Sequence, residues 1–354
     1  MTRLLQRLDA LQQKLAEEEV DALVVASPAN VRYLSGFTGE GYLVLGKGDL
    51  LISTDGRYKL EAEETVPGCE SCCHVGGHLA GTIEFLGRIG AGVVAFESAH
   101  LTYSRYEELA TQLPEIPLRP EKGWVEELRL LKDAEEIAAM REAARRVDAA
   151  LEQFTAALKV GESERRLAWA LDTALVDNAT EPSFSTIMAS GPSAASPHAV
   201  PGPRLLAQGD MLKVDVGGKF DGYCSDITRT YFIGEPSDEF REVYNLVKRA
   251  QAAAVAAVRP GATCKELDAI ARQIIAEGGH GDAFSHGLGH GVGLEIHEAP
   301  HVSSRCADPL QAGMVITIEP GVYLEGWGGV RIEDMVAVTD TACDILTLAP
   351  KPEY

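Results

Sequence analysis

The chain has 354 residues, of which 45% are hydrophobic and 24% are charged, a composition typical of globular proteins. Its length corresponds to about two domains. The formal net charge of −21 argues against a nucleic-acid or anionic-membrane partner, because phosphate contacts require lysine and arginine. No run approaches the roughly 18 consecutive apolar residues of a transmembrane helix.

The N-terminal third alternates predicted helices and strands, which indicates an α/β domain. Leucines at helical spacing among charged residues predict an amphipathic helix over 2–19, and not a signal peptide. Apolar runs predict strands at 22–26, 42–45, 50–53 and 93–96. A glycine-rich stretch at 76–92 precedes the last strand, and a helix is expected near 104–113. Three prolines then mark a linker at about 114–130, which places the domains at 1–125 and 126–354.

The seven cysteines are an odd and scattered set, which indicates reduced thiols and a cytoplasmic location. Cys69, Cys72, Cys73 and His74 form a cluster that could hold zinc. No second ligand pair at the spacing of a zinc site accompanies them, so ordinary thiols are the favoured interpretation.

An internal repeat dominates the second part of the chain. A helix begins after Asp133, which with Glu136 forms a capping box, and a similar run of two helices recurs about 100 residues later. The segment 209–217 resembles 312–321, and 226–230 corresponds to 331–334. These matches pair Asp215 with Glu319, Asp226 with Glu333, and His198 with His297. The alternative is chance similarity of alanine-rich helices. A true duplication predicts a pseudo-twofold arrangement that brings the acids to one centre.

The four paired acids lie on strands rich in valine, isoleucine and leucine. Strands this apolar are expected to be covered on both faces, where a carboxylate must be paired or bound to metal. Arg331 is the obvious nearby cation, and it cannot neutralise four carboxylates. Two divalent ions would match their charge of −4. Carboxylates combined with imidazole suit Mn²⁺, Co²⁺ or Zn²⁺.

The imidazole is expected from the stretch 285–301. It contains four histidines, His286, His290, His297 and His301, interleaved with glycines at 287, 289, 291 and 293. The glycines disfavour a regular helix and allow the close backbone approach that a crowded site requires.

The segment HGLGHGVGLEIHE resembles the signature of the proline-specific peptidases, Xaa-Pro aminopeptidase (aminopeptidase P) and Xaa-Pro dipeptidase (prolidase). These are pita-bread metallopeptidases. The segments ANVRYLSGFTG and TDGRY are similar to the N-terminal domain of that family, and VDVGGKFDGYCSDITRT, TIEPGVY and GGVRIED to its catalytic domain. The resemblance implies an α/β N-terminal domain followed by an α+β pita-bread domain with a pseudo-twofold internal repeat.

The resemblance also implies a role for each site residue. The metal ligands would be Asp215, Asp226, His290, Glu319 and Glu333, with Asp226 and Glu333 bridging two ions that activate a water. Glu319 would also shuttle a proton, and His198 and His297 would bind the substrate and the developing oxyanion. His286 would line the proline pocket and Arg331 would orient ligands. Thr228 and Tyr323 have weaker claims to such a role, with plain strand packing as the alternative.

The implied activity is that of aminopeptidase P, release of the N-terminal residue from peptides in which proline stands second, with Xaa-Pro dipeptidase as the alternative. Mn²⁺ is the expected metal, and Zn²⁺ or Co²⁺ are alternatives. A homodimer is also implied. His301 stands where several dipeptidases carry an arginine for the substrate carboxylate, which favours longer substrates. The modest size of the N-terminal domain favours a dipeptidase. Methionine aminopeptidase fits less well because it usually lacks an N-terminal α/β domain of this size. A non-catalytic pita-bread module and the metal-free creatinase fit less well because all five ligand positions are present.

Overall fold

The computed structural model describes residues 3–65 and 69–354, which divide into two units after Arg129. The boundary expected at 125 lies four residues earlier, inside a helix that spans Trp124–Arg129. Val125 and Arg129 of that helix are both buried within the N-terminal unit. Among the described helices, none is both long and apolar enough to cross a membrane.

The N-terminal unit is built on a six-stranded mixed sheet with the strand order β4-β3-β2-β1-β5-β6. Its elements are α1 (Arg3–Glu17), β1 (Ala22–Val25), α2 (Pro28–Ser35), β2 (Gly41–Gly46), β3 (Leu50–Thr54), α3 (Lys59–Thr65), β4 (Glu70–Cys73), α4 (His78–Arg88), β5 (Val94–Glu97), α5 (Tyr103–Gln112), β6 (Leu118–Glu121) and α6 (Trp124–Arg129). All four residues of β1 are buried, as expected of a central strand.

Two parts of this unit differ from the sequence-based expectation. The glycine-rich stretch contains helix α4, because its apolar residues Leu79, Phe85 and Leu86 pack into the core. The expected linker contains strand β6, although Pro120 lies within it. Proline is tolerated there because β6 is an edge strand that pairs with β5 alone.

The C-terminal unit has two helix pairs and four small sheets. Its elements are α7 (Ala134–Ala157), α8 (Glu164–Asp177), β7 (Glu181–Pro182), β8 (Ile187–Ser190), β9 (Met211–Val216), β10 (Gly218–Phe220), β11 (Tyr223–Cys224), β12 (Ile227–Phe232), α9 (Asp238–Ala257), α10 (Cys264–Glu277), β13 (Gly289–Gly291), β14 (Glu298–Val302), β15 (Val315–Ile318), β16 (Gly321–Leu324), β17 (Gly328–Arg331), β18 (Asp334–Val338) and β19 (Cys343–Ile345). Short 3₁₀ helices span Gly191–Ala195 and Gly281–Ala283. The predicted capping box is present at the start of α7.

The internal repeat predicted from the sequence is confirmed by equivalent contacts in the two halves. The N–H of Gly161 donates to the carbonyl of Leu206 at 2.8 Å, and that of Gly261 donates to Leu310 at 2.9 Å. Ser163 and Thr263 cap α8 and α10 in the same way. Strand β9 lies between β8 and β12, and β15 lies between β13 and β18, all antiparallel. Each half therefore presents a central strand that bears an acid.

Candidate active site

The five expected ligands come from separate strands of the C-terminal unit. Asp215 lies within β9 and His290 within β13, Asp226 directly precedes β12, and Glu319 directly follows β15. Glu333 lies between β17 and β18. Because the repeat places these strands around one centre, all five side chains line a single cleft of about 630 Å³.

The ligand atoms are spaced as donors to a shared cation. His290 Nε2 is 3.5 Å from Asp226 Oδ2 and 3.5 Å from Glu319 Oε1. One ligand atom from each of Asp226, His290 and Glu333 lies within 4.8 Å of the others, and this is the one such group among the described residues. Ligands about 2.1 Å from a tetrahedral ion stand about 3.4 Å apart, so these separations fit metal binding better than hydrogen bonding.

Asp215 and His290 each keep one donor atom free for a cation. Asp215 Oδ2 accepts a hydrogen bond from Arg331, whereas its Oδ1 is buried without a partner. An unsatisfied buried acceptor costs about 1–3 kcal/mol, which a bound cation would relieve. His290 Nδ1 donates to the carbonyl of Gly291 at 3.0 Å, which leaves the lone pair on Nε2. The donor set therefore fits a divalent metal.

The electrostatics of the cleft also favour a cation. Burial and neighbouring carboxylates raise the pKa values of Asp226 and Glu333 well above the ordinary range, and burial raises the pKa of Glu319 to about 7. Burial lowers the pKa of His290 to about 4, so its ring is neutral at physiological pH and able to act as a ligand. Without a cation these carboxyl groups retain protons.

Arg331 connects the ligands to the wall of the cleft. Besides Asp215, its guanidinium donates to Thr228 Oγ1 at 3.0 Å and to the Tyr323 hydroxyl at 2.9 Å. Thr228 Oγ1 in turn donates to Glu333 Oε2 at 2.6 Å. Thr228 and Tyr323, for which strand packing was the alternative, thus both contact Arg331, and Thr228 also contacts a ligand carboxylate.

The other four histidines expected near the site also line the cleft. His286 receives a hydrogen bond from the Tyr323 hydroxyl at 2.9 Å and donates to the carbonyl of Gly287 at 2.8 Å. Burial lowers the pKa of His286 to about 4, so it is neutral. His297 packs edge-on against the ring of His290 at 4.4 Å between centroids. His198, His297 and His301 are exposed and line the same cleft.

Two glycines allow the histidine-bearing strand to pack closely against its neighbours. A Cβ on Gly289 would clash with the carbonyl oxygen of Thr317, and one on Gly291 would clash with that of Ala299. Both clashes involve backbone atoms, which cannot move aside. His290 therefore reaches the other ligands because its flanking residues have no side chain, as the glycine pattern predicted.

Arg305 is a cleft residue that the sequence argument missed. It is exposed in the segment after β14 and lines the cleft beside His301 and Ser303. No motif marks it in the sequence, since only the path of the loop carries it to the site.

The cysteine cluster lies in the N-terminal unit. The thiols of Cys69 and Cys73 donate to the carbonyls of Leu50 and Asp55, which is the behaviour of ordinary thiols.

Comparison with known proteins identifies the family and the fold. The sequence profile of metallopeptidase family M24 matches residues 138–340, and that of the creatinase/prolidase N-terminal domain matches residues 7–131. The chain belongs to metallopeptidase family M24. Membership implies divalent metal ions, and the cleft described above supplies a fitting donor set.

This M24 peptidase is similar over nearly its whole length to proteins described as Xaa-Pro dipeptidases and as an X-Pro aminopeptidase. It is 38% identical to an Xaa-Pro dipeptidase of Pyrococcus furiosus over 349 residues, which covers 97% of each chain. Among solved structures, an Xaa-Pro dipeptidase from Bacillus anthracis has a TM-score of 0.95 at 36% identity and 99% coverage of both chains. An X-Pro aminopeptidase from Thermotoga maritima has a TM-score of 0.90 at 32% identity, covering 97% and 99% of the two chains. These matches confirm the predicted fold class.

The raised carboxyl pKa values predict how metal stabilises the M24 peptidase at different pH. A carboxyl pKa that is higher in the folded than in the unfolded state lowers the stability of the metal-free protein as pH rises from about 4.5 to about 7. Protons also compete less with metal at high pH. The gain in Tm on adding Mn²⁺ to chelator-treated protein should therefore be larger at pH 8 than at pH 6. Scanning calorimetry measures it, and an equal gain at both values would contradict this account.

Proposed function

We propose that the chain is a metal-dependent Xaa-Pro peptidase, which hydrolyses the imide bond between an N-terminal residue and a following proline. The observation that carries the proposal is the convergence of His198, His286 and His297 on the same cleft as the five candidate ligands. The similarity to Xaa-Pro dipeptidases over nearly the whole chain supports the same activity. A homodimer that acts in the cytoplasm remains our expectation from the family resemblance and the thiol content.

We propose two divalent ions, Mn²⁺ in the first instance, bound by Asp215, Asp226, His290, Glu319 and Glu333. The charge of four carboxylates supports this number, because one ion would leave the cluster negative at a partly buried site. Asp226 and Glu333 are the deepest of the carboxylates and are the candidates for bridging. When bound, such ions polarise a substrate carbonyl and lower the pKa of a water.

The residues of the chain provide binding and proton transfer. His198 and His297 are exposed at the cleft and can donate hydrogen bonds to the carbonyl of the scissile bond as negative charge develops. Glu319 Oε1 accepts from Thr317 Oγ1 at 3.3 Å and is the group that would carry a proton to the leaving proline nitrogen.

Proline requires a pocket that recognises shape. The imide has no N–H to donate, so the usual hydrogen bond to a peptide backbone is not available. The chain of hydrogen bonds from Arg331 through Tyr323 to His286 fixes a flat, neutral ring at the cleft. A proline ring can pack on such a surface without losing a hydrogen bond.

A substrate comparison tests the proposed function. Purified protein with Mn²⁺ should cleave Ala-Pro and Ala-Pro-Ala, and should cleave Met-Ala-Ser poorly because alanine does not fill a pocket shaped for proline. Rates from product release by mass spectrometry give the ranking. Preferential cleavage of Met-Ala-Ser would point to a methionine aminopeptidase and would refute the proposal.

Substitution of the rim histidines separates catalysis from metal binding. His198→Ala and His297→Ala should each lower kcat by about 10²–10³-fold, the typical effect of losing one donor to an oxyanion. Neither residue is a proposed ligand, so elemental analysis should still find two metal ions per chain. A variant that keeps near wild-type kcat would remove that histidine from the mechanism.

Arg305 bears on the length of the substrate. Longer substrates were expected because His301 occupies the place of an arginine, but Arg305 lines the same cleft four residues later. Among the residues that the structure describes, the Arg305 guanidinium forms no ion pair. An unpaired guanidinium beside a peptide-binding cleft suits the C-terminal carboxylate of a dipeptide. We therefore propose that Xaa-Pro dipeptides are good substrates.

The Arg305→Leu variant tests this assignment with a matched pair of substrates. A charge-assisted contact is worth about 1.5–3 kcal/mol, so kcat/KM for Ala-Pro should fall about ten- to hundredfold. Ala-Pro-amide lacks the carboxylate and should be affected much less. An equal fall in kcat/KM for both substrates would show that Arg305 does not bind the substrate carboxylate.

A further inference from the structure

Lys213 is a fully buried lysine beside the metal ligands, and the proposed mechanism does not use it. It lies within β9, two residues before Asp215 on the same face of the strand, with no exposed surface. Among the described residues it forms no ion pair. Its amino group instead hydrogen-bonds to three carbonyls, those of Ala194 at 3.1 Å, Ser196 at 2.5 Å and Pro197 at 3.4 Å.

The three acceptors belong to one segment, 194–197, which leads directly to His198. The His198 ring has no hydrogen-bond partner among the described residues, so its own contacts do not hold it in place. Between 197 and 201 the described backbone forms hydrogen bonds through the Pro197 carbonyl alone, which accepts from Lys213 and, at 3.1 Å, from Arg331. The position of His198 therefore depends on two buried basic side chains, Lys213 and Arg331.

A second contact of Lys213 reaches the opposite side of the proposed proline pocket. Its Nζ lies 5.0 Å from the centroid of the Tyr323 ring, within the range of a cation–π interaction. The hydroxyl of that tyrosine is hydrogen-bonded to His286. One amino group thus contacts both the His198 segment and the wall that carries His286.

The equivalent position in the other half of the repeat has a related role. Because Asp215 corresponds to Glu319, Lys213 corresponds to Thr317. The Thr317 hydroxyl accepts from the backbone N–H of His290 at 3.1 Å. In each half, the residue two positions before the acid therefore holds a segment that carries a functional histidine.

We propose that Lys213 is a positioning residue, which fixes segment 194–198 so that His198 faces the substrate. Burying a lysine amino group without a carboxylate partner is unfavourable for its charged form and lowers its pKa to about 6, and three carbonyl dipoles offset only part of that penalty. A valine or leucine would fill the strand position without this penalty. The presence of a lysine is therefore explained by its hydrogen bonds to the segment that leads to His198. The anchoring itself stands on the contacts, and its effect on catalysis rests on the proposed function.

The first test measures anchoring without any substrate. Hydrogen–deuterium exchange in peptides covering 194–202 should be several-fold faster in Lys213→Met than in wild type. Lys213→Gln keeps an N–H donor on a side chain one bond shorter and should give intermediate exchange, which also serves if the methionine variant folds poorly. Lys132→Met is the matched control, because Lys132 is a buried lysine paired with Glu298 at 3.1 Å and makes no bond to this segment.

The second test is a double-mutant cycle on Ala-Pro hydrolysis. Lys213→Met should lower kcat/KM about tenfold or more with metal content unchanged, since Lys213 bonds to no ligand. Added to His198→Ala, it should cause little further loss, because the residue acts through His198. If Lys213 had a merely structural role, Lys213→Met would lower kcat/KM by the same factor in the wild-type and His198→Ala proteins.

The outcomes separate this inference from the proposed function. Unchanged exchange at 194–202 in Lys213→Met, or a full additional loss on the His198→Ala background, overturns the positioning role. A wild-type enzyme that cleaves no Xaa-Pro substrate overturns the proposed function. Anchoring would then be supported or refuted by the exchange measurement alone.

Discussion

Four carboxylates gathered around one guanidinium are the constraint on which the C-terminal unit depends. Asp215, Asp226 and Glu333 are at most 8% exposed, and the Arg331 guanidinium donates a hydrogen bond to Asp215 and lies 3.9 Å from Glu319. At low local dielectric, such a cluster of like charges is unstable unless protons or cations compensate it. The fold tolerates the cluster because strands from both halves of the repeat deliver one acid each and surround it with hydrogen-bond donors.

Three buried basic side chains hold different parts of this arrangement. Arg331 binds ligand side chains and the cleft wall, and Lys213 binds the segment that leads to His198. Arg229 binds the ligand backbone, since it donates to the carbonyl of Glu333 at 2.5 Å and to Asp334 Oδ1 at 2.9 Å. Because each of these side chains has different partners, the candidate ligands, their backbone and the rim are fixed separately. Such support is what keeps catalytic groups within the tolerance that chemistry requires.

The sequence predicted which carboxylates lie together at one cleft, because buried carboxylates in apolar strands have few physical explanations. The alternation of strand residues, the duplicated acids and the glycine-flanked His290 all pointed to one centre. Strand β6 was missed because Pro120 signals a linker unless its edge position is known, and α4 because glycines obscure a short amphipathic pattern. Arg305 and Lys213 were not predicted to act at the site, since their roles depend on the path of loops that no local pattern encodes.

The glycines beside His290 have a consequence for how this enzyme can diversify. Every side chain larger than hydrogen at Gly289 or Gly291 meets a neighbouring backbone, so no single replacement there is accommodated. Residues at the rim, such as His301 and Arg305, are exposed and free to vary without disturbing the strands. Substitutions in the loop after β14 can therefore change which peptides bind. The residues packed around His290, in contrast, cannot be replaced one at a time.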